Sequence, residues 1–371
     1  MRKLLQLPSS KWTLDEQCKA VLLAIEGKTD LLVVLPTGSR KSIIPMLASI
    51  LTNKTFAIVV PFILLLEDWE HHLKMARIFY EVFKLGMRTF ADTPIILAAT
   101  NIAVKSDFAE AVRCSFANGT FCGLVLDKVH EVFTSRDFQA CMRSIWQIRR
   151  LGFPIIGMSG TIPVEMESLL RRGLYLVKDI VVVRQLSNRP KLKYVINPPS
   201  TDMVLVHWQM EEIIKKQNMG PKDKGLVFVT LVSDIYTLAL LLKCDFYCTT
   251  KSVKETGDNK WMGAKGFRPA SALRSEAVTK WRQGINPVMV ATTTFVVGND
   301  FPHVQFVILA TTPFDICLAI QEMGRAGRNG KPAFYYVIPT QTLHLPPGSR
   351  NNNLQGCKAM TDMIWKSDKC I

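Results

Sequence analysis

Short apolar runs punctuate the chain at residues 31–35, 56–60, 95–98, 123–126 and 155–158, each rich in Val, Ile and Leu and none alternating with polar positions. Runs of this length without a period of two fit strands covered on both faces, as in a parallel sheet. The segments between them carry apolar residues at helical spacing, so the expected unit is strand, helix, strand. A second series of runs occupies residues 225–229, 288–291, 306–309 and 333–338, again with helical segments between, such as 235–242. The α/β pattern therefore occurs twice. Between the series, residues 184–200 hold Pro190, Pro198 and Pro199 and open without an apolar period, which places a domain junction there. The expected organisation is a first domain over 1–186, a second over 187–342 and a short tail over 343–371. A polar, Gly-containing stretch at 249–271 around Trp261 reads as an extended loop of the second domain.

A chain of 371 residues is too long for one ordinary core and suits two domains of about 150 to 200 residues. An apolar fraction of 48% with 21% charged residues leaves enough apolar surface for two packed cores, with no tract biased toward disorder. The balance of 46 Lys and Arg against 31 Asp and Glu gives a formal charge of +15. Such a surplus favours a polyanionic partner through counterion release, with nucleic acid ahead of a membrane surface. Nine scattered cysteines, an odd number, form no disulfide framework and imply a reducing compartment. The longest apolar run, 56–66, is about half the length a spanning helix needs and is interrupted by Pro61, so no transmembrane segment is expected.

Residues 31–42 read LLVVLPTGSRKS. A buried strand, a Gly-containing turn and a Lys-Ser pair opening a helix form the layout of a phosphate-binding loop. In that layout the loop Pro36–Ser42 wraps the phosphates with the backbone N–H groups of Thr37, Gly38, Ser39 and Arg40 facing them, Lys41 neutralises the β and γ groups, and the Ser42 hydroxyl coordinates Mg²⁺. Arg40 stands where the pattern calls for glycine. A side chain there costs about 1–2 kcal/mol if the backbone must be left-handed, and it adds a cation beside the phosphates.

Residues 123–130 read GLVLDKVH, a strand ending in Asp127, which is placed to hold Mg²⁺, with His130 three residues further on. The residue after such an aspartate is normally a glutamate that orients and deprotonates the attacking water. Lys128 stands there instead, and an ammonium cannot accept that proton. The sequence MSGTIP at 158–163 places Ser159 and Thr161 at another strand end, suited to relay between nucleotide and bound strand. In the second series, QEMGRAGRNG at 321–330 carries Gln321, with Arg325 and Arg328 three apart and expected on one helical face. Arginine's rigid fork suits the charge on a transferring phosphoryl group, and two of them suggest phosphate clamps across a domain cleft.

Taken in order, these motifs resemble the superfamily 2 helicases, and within them the RecQ-like DNA helicases, from about Leu14 to Ile338. Gln17 matches the glutamine that reads adenine in that family. PFILLLEDW at 61–69 looks like its nucleic-acid-contacting segment, and DKVH replaces DEVH or DEAH. SNRPKL at 187–192 resembles the Asn-Arg-Pro signature at the entry to the second lobe, Gly298 and Asp300 fit a second-lobe nucleotide motif, and QEMGRAGR fits the arginine-finger helix with Asn329 in place of an aspartate. The resemblance implies two tandem RecA-like P-loop NTPase domains, each a largely parallel sheet flanked by helices. It further implies ATP with Mg²⁺, single-stranded or partly duplex DNA as partner, 3′ to 5′ stepping, and DNA repair or recombination in the nucleus.

The family's aromatic-rich loop is expected between His130 and Ser159. Phe133, Phe138 and Trp146 lie there, interleaved with Arg136, Arg143, Arg149 and Arg150, as a stacking surface for bases requires. A place in the core is an equal alternative for Trp146. Only Cys357 and Cys370 follow the arginine segment, so the zinc module that often continues such chains has no complete ligand set, and no structural zinc is expected. Cys244 and Cys248 read as strand or core residues. The leading expectation is a DNA helicase whose hydrolysis is impaired by Arg40 and Lys128. The alternatives are an inactive nucleic-acid-binding pseudo-helicase and an RNA helicase.

Overall fold

The computed structural model describes residues 12, 14–61, 63–90, 93–132, 136–160, 162–176, 179–185, 191–229, 232–248, 270–292, 295, 301, 303–310, 316–339 and 362. It divides into two compact units, Met1–Asn188 and Arg189–Ile371. The first unit is built on seven strands: β1 (Leu31–Val34), β2 (Thr55–Val60), β3 (Tyr80–Val82), β4 (Ile95–Ala99), β5 (Phe121–Asp127), β6 (Ile155–Ser159) and β7 (Val181–Arg184). They form one sheet in the order β3-β4-β2-β5-β6-β1-β7, and every neighbouring pair is parallel. The second unit has β8 (Leu192–Ile196), β9 (Lys224–Val229), β10 (Asp245–Tyr247), β11 (Val288–Thr292), β12 (Val304–Leu309) and β13 (Ala333–Val337), parallel throughout in the order β10-β11-β9-β12-β13-β8.

Numbered from its own first strand, the second sheet has the order 3-4-2-5-6-1, which is the order of the first six strands of the first sheet. One architecture is therefore used twice, with β7 added at the edge beside β1. The central strands β1, β2, β4, β9 and β11 are buried at every position, as their unbroken Val/Ile/Leu runs require. All nine apolar runs of the sequence are strands. The four strands those runs do not mark, β3, β7, β8 and β10, are the four sheet edges. Of these, β8 lies inside the expected junction 184–200, so that segment holds a strand of the second sheet. Only Leu192 is buried in β8, and its next three residues are exposed.

At the amino end of the first sheet, Asp30 fixes three elements at once. Its Oδ1 accepts the backbone N–H of Ile155 at 2.9 Å, and its Oδ2 pairs with the Arg149 guanidinium, which also donates to the Phe153 carbonyl. Asp30 is buried and Arg149 nearly so, which joins the starts of β1 and β6 to the end of the helix Arg136–Arg149. Removing one member of such a pair leaves an uncompensated interior charge. Asp30→Ala is expected to destabilise the chain by about 3–5 kcal/mol, read as a lower denaturation midpoint at unchanged slope; a loss below about 1 kcal/mol contradicts the assignment.

Candidate functional site

Because all strands of the first sheet run the same way, their carboxyl ends lie along one edge, where ligands of open α/β sheets bind. Order β5-β6-β1 sets β6 between the phosphate loop and Asp127, with strands about 4.8 Å apart. The loop after β1 is tightly turned. Gly38 has φ 82° and Arg40 φ 54°, both left-handed, and the Ser39 N–H donates to the Pro36 carbonyl at 3.1 Å. Arg40 thus occupies the backbone region where glycine is free of strain, as the glycine pattern at that position requires, and its side chain is exposed. Ser42 directly precedes the helix Ile43–Thr52, and its side chain makes no capping hydrogen bond.

The Lys41 ammonium turns back onto the strand end, donating to the carbonyls of Leu35 at 2.9 Å and Pro36 at 3.0 Å. Gln17, buried in the helix Asp15–Glu26, accepts the Leu14 N–H at 3.2 Å and donates from Nε2 to the carbonyls of Ser39 and, at 3.3 Å, Arg40. Its amide is therefore a brace for the loop. The Ser39 hydroxyl is buried with no hydrogen-bond partner among the described residues, a donor inside the loop still to be satisfied. Gly160, just after β6, packs against the loop so closely that a Cβ would lie 3.1 Å from Thr37 Cγ2 and 3.3 Å from its nitrogen.

At the end of β5, Asp127 is held on both oxygens. The Trp69 indole donates to Oδ2 at 3.0 Å and the Lys128 backbone N–H to Oδ1 at 2.9 Å. Two donors leave outward lone pairs on each oxygen, so the carboxylate is aimed and still able to accept a cation. Lys128 itself has φ 55°, a second non-glycine residue in left-handed backbone at this edge. His130 is buried in the 3₁₀ turn Val129–Val132, with Nδ1 2.7 Å from the Ser159 hydroxyl and Nε2 3.6 Å from Glu131. Ser159 is fully buried and its carbonyl accepts the Leu35 N–H at 3.1 Å, which links β5 through β6 to the start of the phosphate loop. Trp69 belongs to the segment read as a nucleic-acid contact; its bond to Asp127 crosses 58 residues and has no local sequence signal.

In the second unit, the helix Ile316–Met323 carries Gln321 and stops before both arginines. The expectation that Arg325 and Arg328 share a helical face is therefore corrected: both lie in the turns that follow. Past Met323 the N–H groups of Arg325 and Ala326 donate three residues back, and Gly327, at φ 62°, donates to the Val304 carbonyl at 2.8 Å, folding the chain back onto β12. Arg325 is buried, whereas Arg328 is partly exposed and its Nε donates to the Gly324 carbonyl at 2.9 Å.

The stacking surface expected between His130 and Ser159 is corrected in one member and in its place in the fold. Arg149 belongs to the interior pair with Asp30, and Trp146 is exposed near the amino ends of β1 and β6, away from the edge that holds Lys41 and Asp127. Cys248 is buried and Cys244 partly so, with burial pushing the Cys244 thiol up to about 12. Thr161, Phe133, Gly298, Asp300, the Asn-Arg-Pro segment 188–190 and the stretch 249–269 lie outside the described residues, as do the side chains of Arg136 and Phe138.

Comparison with known proteins agrees with this architecture. Residues 15–169 match the DEAD/DEAH box helicase family and residues 208–330 match the helicase conserved C-terminal domain. The chain therefore consists of two tandem RecA-like domains, each matching a helicase domain family over its own span. Its curated relatives are RecQ-family helicases: rat ATP-dependent DNA helicase Q5 is 23% identical over 90% of this chain and 35% of its own, and the Saccharomyces cerevisiae ATP-dependent helicase SGS1 24% over 86% and 22%. Two Caenorhabditis proteins provisionally named ATP-dependent DNA helicase Q1 are 25% and 26% identical, and the chain spans about half the length of each, 51%. Among solved structures, the Mycobacterium smegmatis helicase Lhr bound to single-stranded DNA and AMP-PNP superposes with a TM-score of 0.65 at 17% identity, over 99% of this chain and 50% of that one. Saccharomyces cerevisiae Dbp5 bound to RNA and ADP BeF3 gives 0.61 at 12%, over 95% and 92%. At such identities these two likenesses speak to the fold. Among the described residues, no helix is long and apolar enough to cross a membrane.

The Trp69 bond to Asp127 is testable by a double-mutant cycle. Trp69→Phe loses a hydrogen bond to a charged group, worth about 1.5–3 kcal/mol, and in an Asp127→Asn background the loss is expected to shrink. Equal losses in both backgrounds, measured by urea denaturation, would show that the indole acts by packing alone.

Proposed function

We propose that this chain is a RecQ-like DNA helicase core that binds ATP with Mg²⁺ and single-stranded or partly duplex DNA, and that hydrolyses ATP slowly because of Lys128 and Arg40. The carrying observation is the carboxyl edge of the first sheet, where Lys41, Ser42, Asp127 and the His130–Ser159 pair end three neighbouring strands. The loop fits a triphosphate: it holds a lysine, a buried Ser39 hydroxyl with no hydrogen-bond partner among the described residues, and left-handed turns at Gly38 and Arg40. Lys41 would exchange the carbonyls of Leu35 and Pro36 for the β and γ phosphates, an exchange of neutral acceptors for charged ones. Ser42 and Asp127 would hold the Mg²⁺, which when bound neutralises phosphate charge and orients the γ group.

Gln17 is assigned to the adenine side of the loop, which requires its amide to give up the Leu14, Ser39 or Arg40 backbone for the base, and Gly298 and Asp300 to the second unit's nucleotide contacts. Gln321, Arg325 and Arg328 are assigned to charge on the γ-phosphoryl group, which requires the Arg325 guanidinium to leave the interior it occupies. The names of the curated relatives support DNA as the partner, and RecQ-like descent supports 3′ to 5′ stepping and a nuclear role in repair or recombination.

Hydrolysis needs a group that takes a proton from the attacking water. Lys128 follows Asp127 directly and cannot do so as an ammonium; it also places positive charge where Mg²⁺ would bind. Loss of a general base costs about two to four decades in rate. The same observation favours a second reading, a nucleic-acid-binding protein in which the phosphate loop binds ATP without turnover.

ATPase assays with and without single-stranded DNA separate the readings. The native chain is expected to be slow, Lys128→Glu to gain at least about tenfold, and Lys128→Glu with Arg40→Gly to gain more. Ordinary helicase rates in the native chain, abolished by Lys41→Ala, would refute the role given to Lys128. No gain in either variant would favour the non-hydrolysing reading.

A further inference from the structure

A second feature of the first unit lies at the opposite end of the sheet from the phosphate loop. Asp30 precedes β1 and Pro36 follows it, so the two ends are separated by six residues of extended chain, roughly 20 Å. At the amino end opens a cavity of about 390 Å³ lined by Lys28, Trp146, Arg149, Arg150, Phe153 and Tyr175, among others. Trp146 and Tyr175 are 45% and 40% exposed, and they stack on each other with ring centroids 5.0 Å apart and planes tilted by 32°. Two large aromatic faces are thus held in a fixed mutual orientation and left in contact with water, a state that costs free energy unless a ligand covers it.

The surrounding charge is cationic. Asp30 is the acid in the lining, and it is cancelled by Arg149, so Lys28 and Arg150, both exposed, set the sign of the cavity. Along the helix Arg136–Arg149 and its last turn, Arg143, Trp146 and Arg150 fall at i, i+3 and i+7, one face, with a cation on either side of the indole. Arg172, also exposed, precedes Tyr175 by one turn, and its carbonyl accepts the Tyr175 N–H at 3.2 Å. Tyr175 sits at φ 52°, a left-handed backbone unusual for an aromatic residue, which projects its ring toward Trp146.

We infer that this cavity is an accessory site for one unpaired nucleotide of a nucleic-acid strand, its base against the Trp146–Tyr175 pair and its phosphates between Lys28 and Arg150. Planar aromatic faces flanked by arginines are the chemistry of sequence-tolerant single-strand binding, and the volume suits a single base. The formal charge of +15 favours a polyanionic partner, and Lys28 and Arg150 place part of that surplus at this end of the sheet. An acidic protein segment would be drawn by the same cations but would leave the stacked rings without a planar partner. The site would hold a strand away from the phosphate loop, so it would act on strand retention and leave nucleotide binding unchanged. The inference rests on the reading of the chain as a single-strand binder.

The test uses the full chain and a short oligothymidylate carrying 5-iodouracil, with the photocrosslinked peptide mapped by mass spectrometry. Crosslinks are expected at Trp146 or Tyr175. Trp146→Ala and Arg150→Glu should each weaken oligothymidylate binding by about fivefold or more, as loss of one stacked base implies, whereas Trp146→Phe keeps most of it. Affinity for nucleotide, measured separately, should not change. Thymidine monophosphate added as competitor distinguishes a free nucleotide from a strand: displacement at low concentration would identify a mononucleotide site and overturn the strand assignment. Strand binding intact in both variants, with crosslinks confined elsewhere, would overturn the inference and spare the wider reading. Preferential binding of an acidic peptide through Trp146 would also overturn it. Absence of any oligothymidylate binding would overturn both.

Discussion

Every strand of the first sheet runs in one direction, and that constraint gathers the ends of β1, β5 and β6 at one edge. Nothing else would bring residues as distant in sequence as Lys41, Asp127 and Ser159 into neighbouring positions. The backbone then completes the geometry. Leu35 accepts Lys41 and donates to Ser159, Ser159 meets His130, and Gln17 braces the loop from the preceding helix. The site is a consequence of sheet order and a handful of buried hydrogen bonds, each of which would be costly to leave unmade.

Two of its turns carry side chains that the conformation disfavours. Arg40 and Lys128 both have left-handed backbone, and both add a cation where phosphate and metal are to be held. The fold accommodates each residue, since Arg40 is exposed and Lys128 partly so, while hydrolysis on the proposed reading does not. On the proposed reading, retention of the loop with Lys128 in place of a base separates nucleotide binding from turnover. The amino edge of the same sheet repeats the theme of charge and aromatic surface without catalytic groups, around a buried Asp30–Arg149 pair that holds the helix bearing Trp146 in place.

Legibility followed burial. Interior strands such as β2 and β11 are covered on both faces and appear in sequence as continuous Val, Ile and Leu, so every one of them could be read. The edge strands β3, β8 and β10 are short or largely exposed, and an edge needs only one paired neighbour; β8 was further hidden by flanking prolines. The phosphate loop was readable because its chemistry is local. The bond from Trp69 to Asp127 and the brace from Gln17 to Ser39 were not, because they join residues far apart in sequence through tertiary packing. Arg325 and Arg328 have helical spacing, yet the helix ends at Met323 and Gly327 turns the chain through left-handed backbone between them. Trp146 has the composition of a stacking residue, but sequence order alone did not indicate which end of the sheet it would occupy.

The central claim is that the carboxyl edge of the first sheet grips a triphosphate through Lys41. Titration calorimetry of ATP with Mg²⁺ into the intact chain and into Lys41→Ala tests it directly. The account predicts stoichiometric binding at one site that weakens by about tenfold or more when the ammonium is removed, as loss of a charge-assisted contact of about 1.5–3 kcal/mol implies. Equal affinity in the two proteins, or heat that does not depend on Mg²⁺, would contradict it.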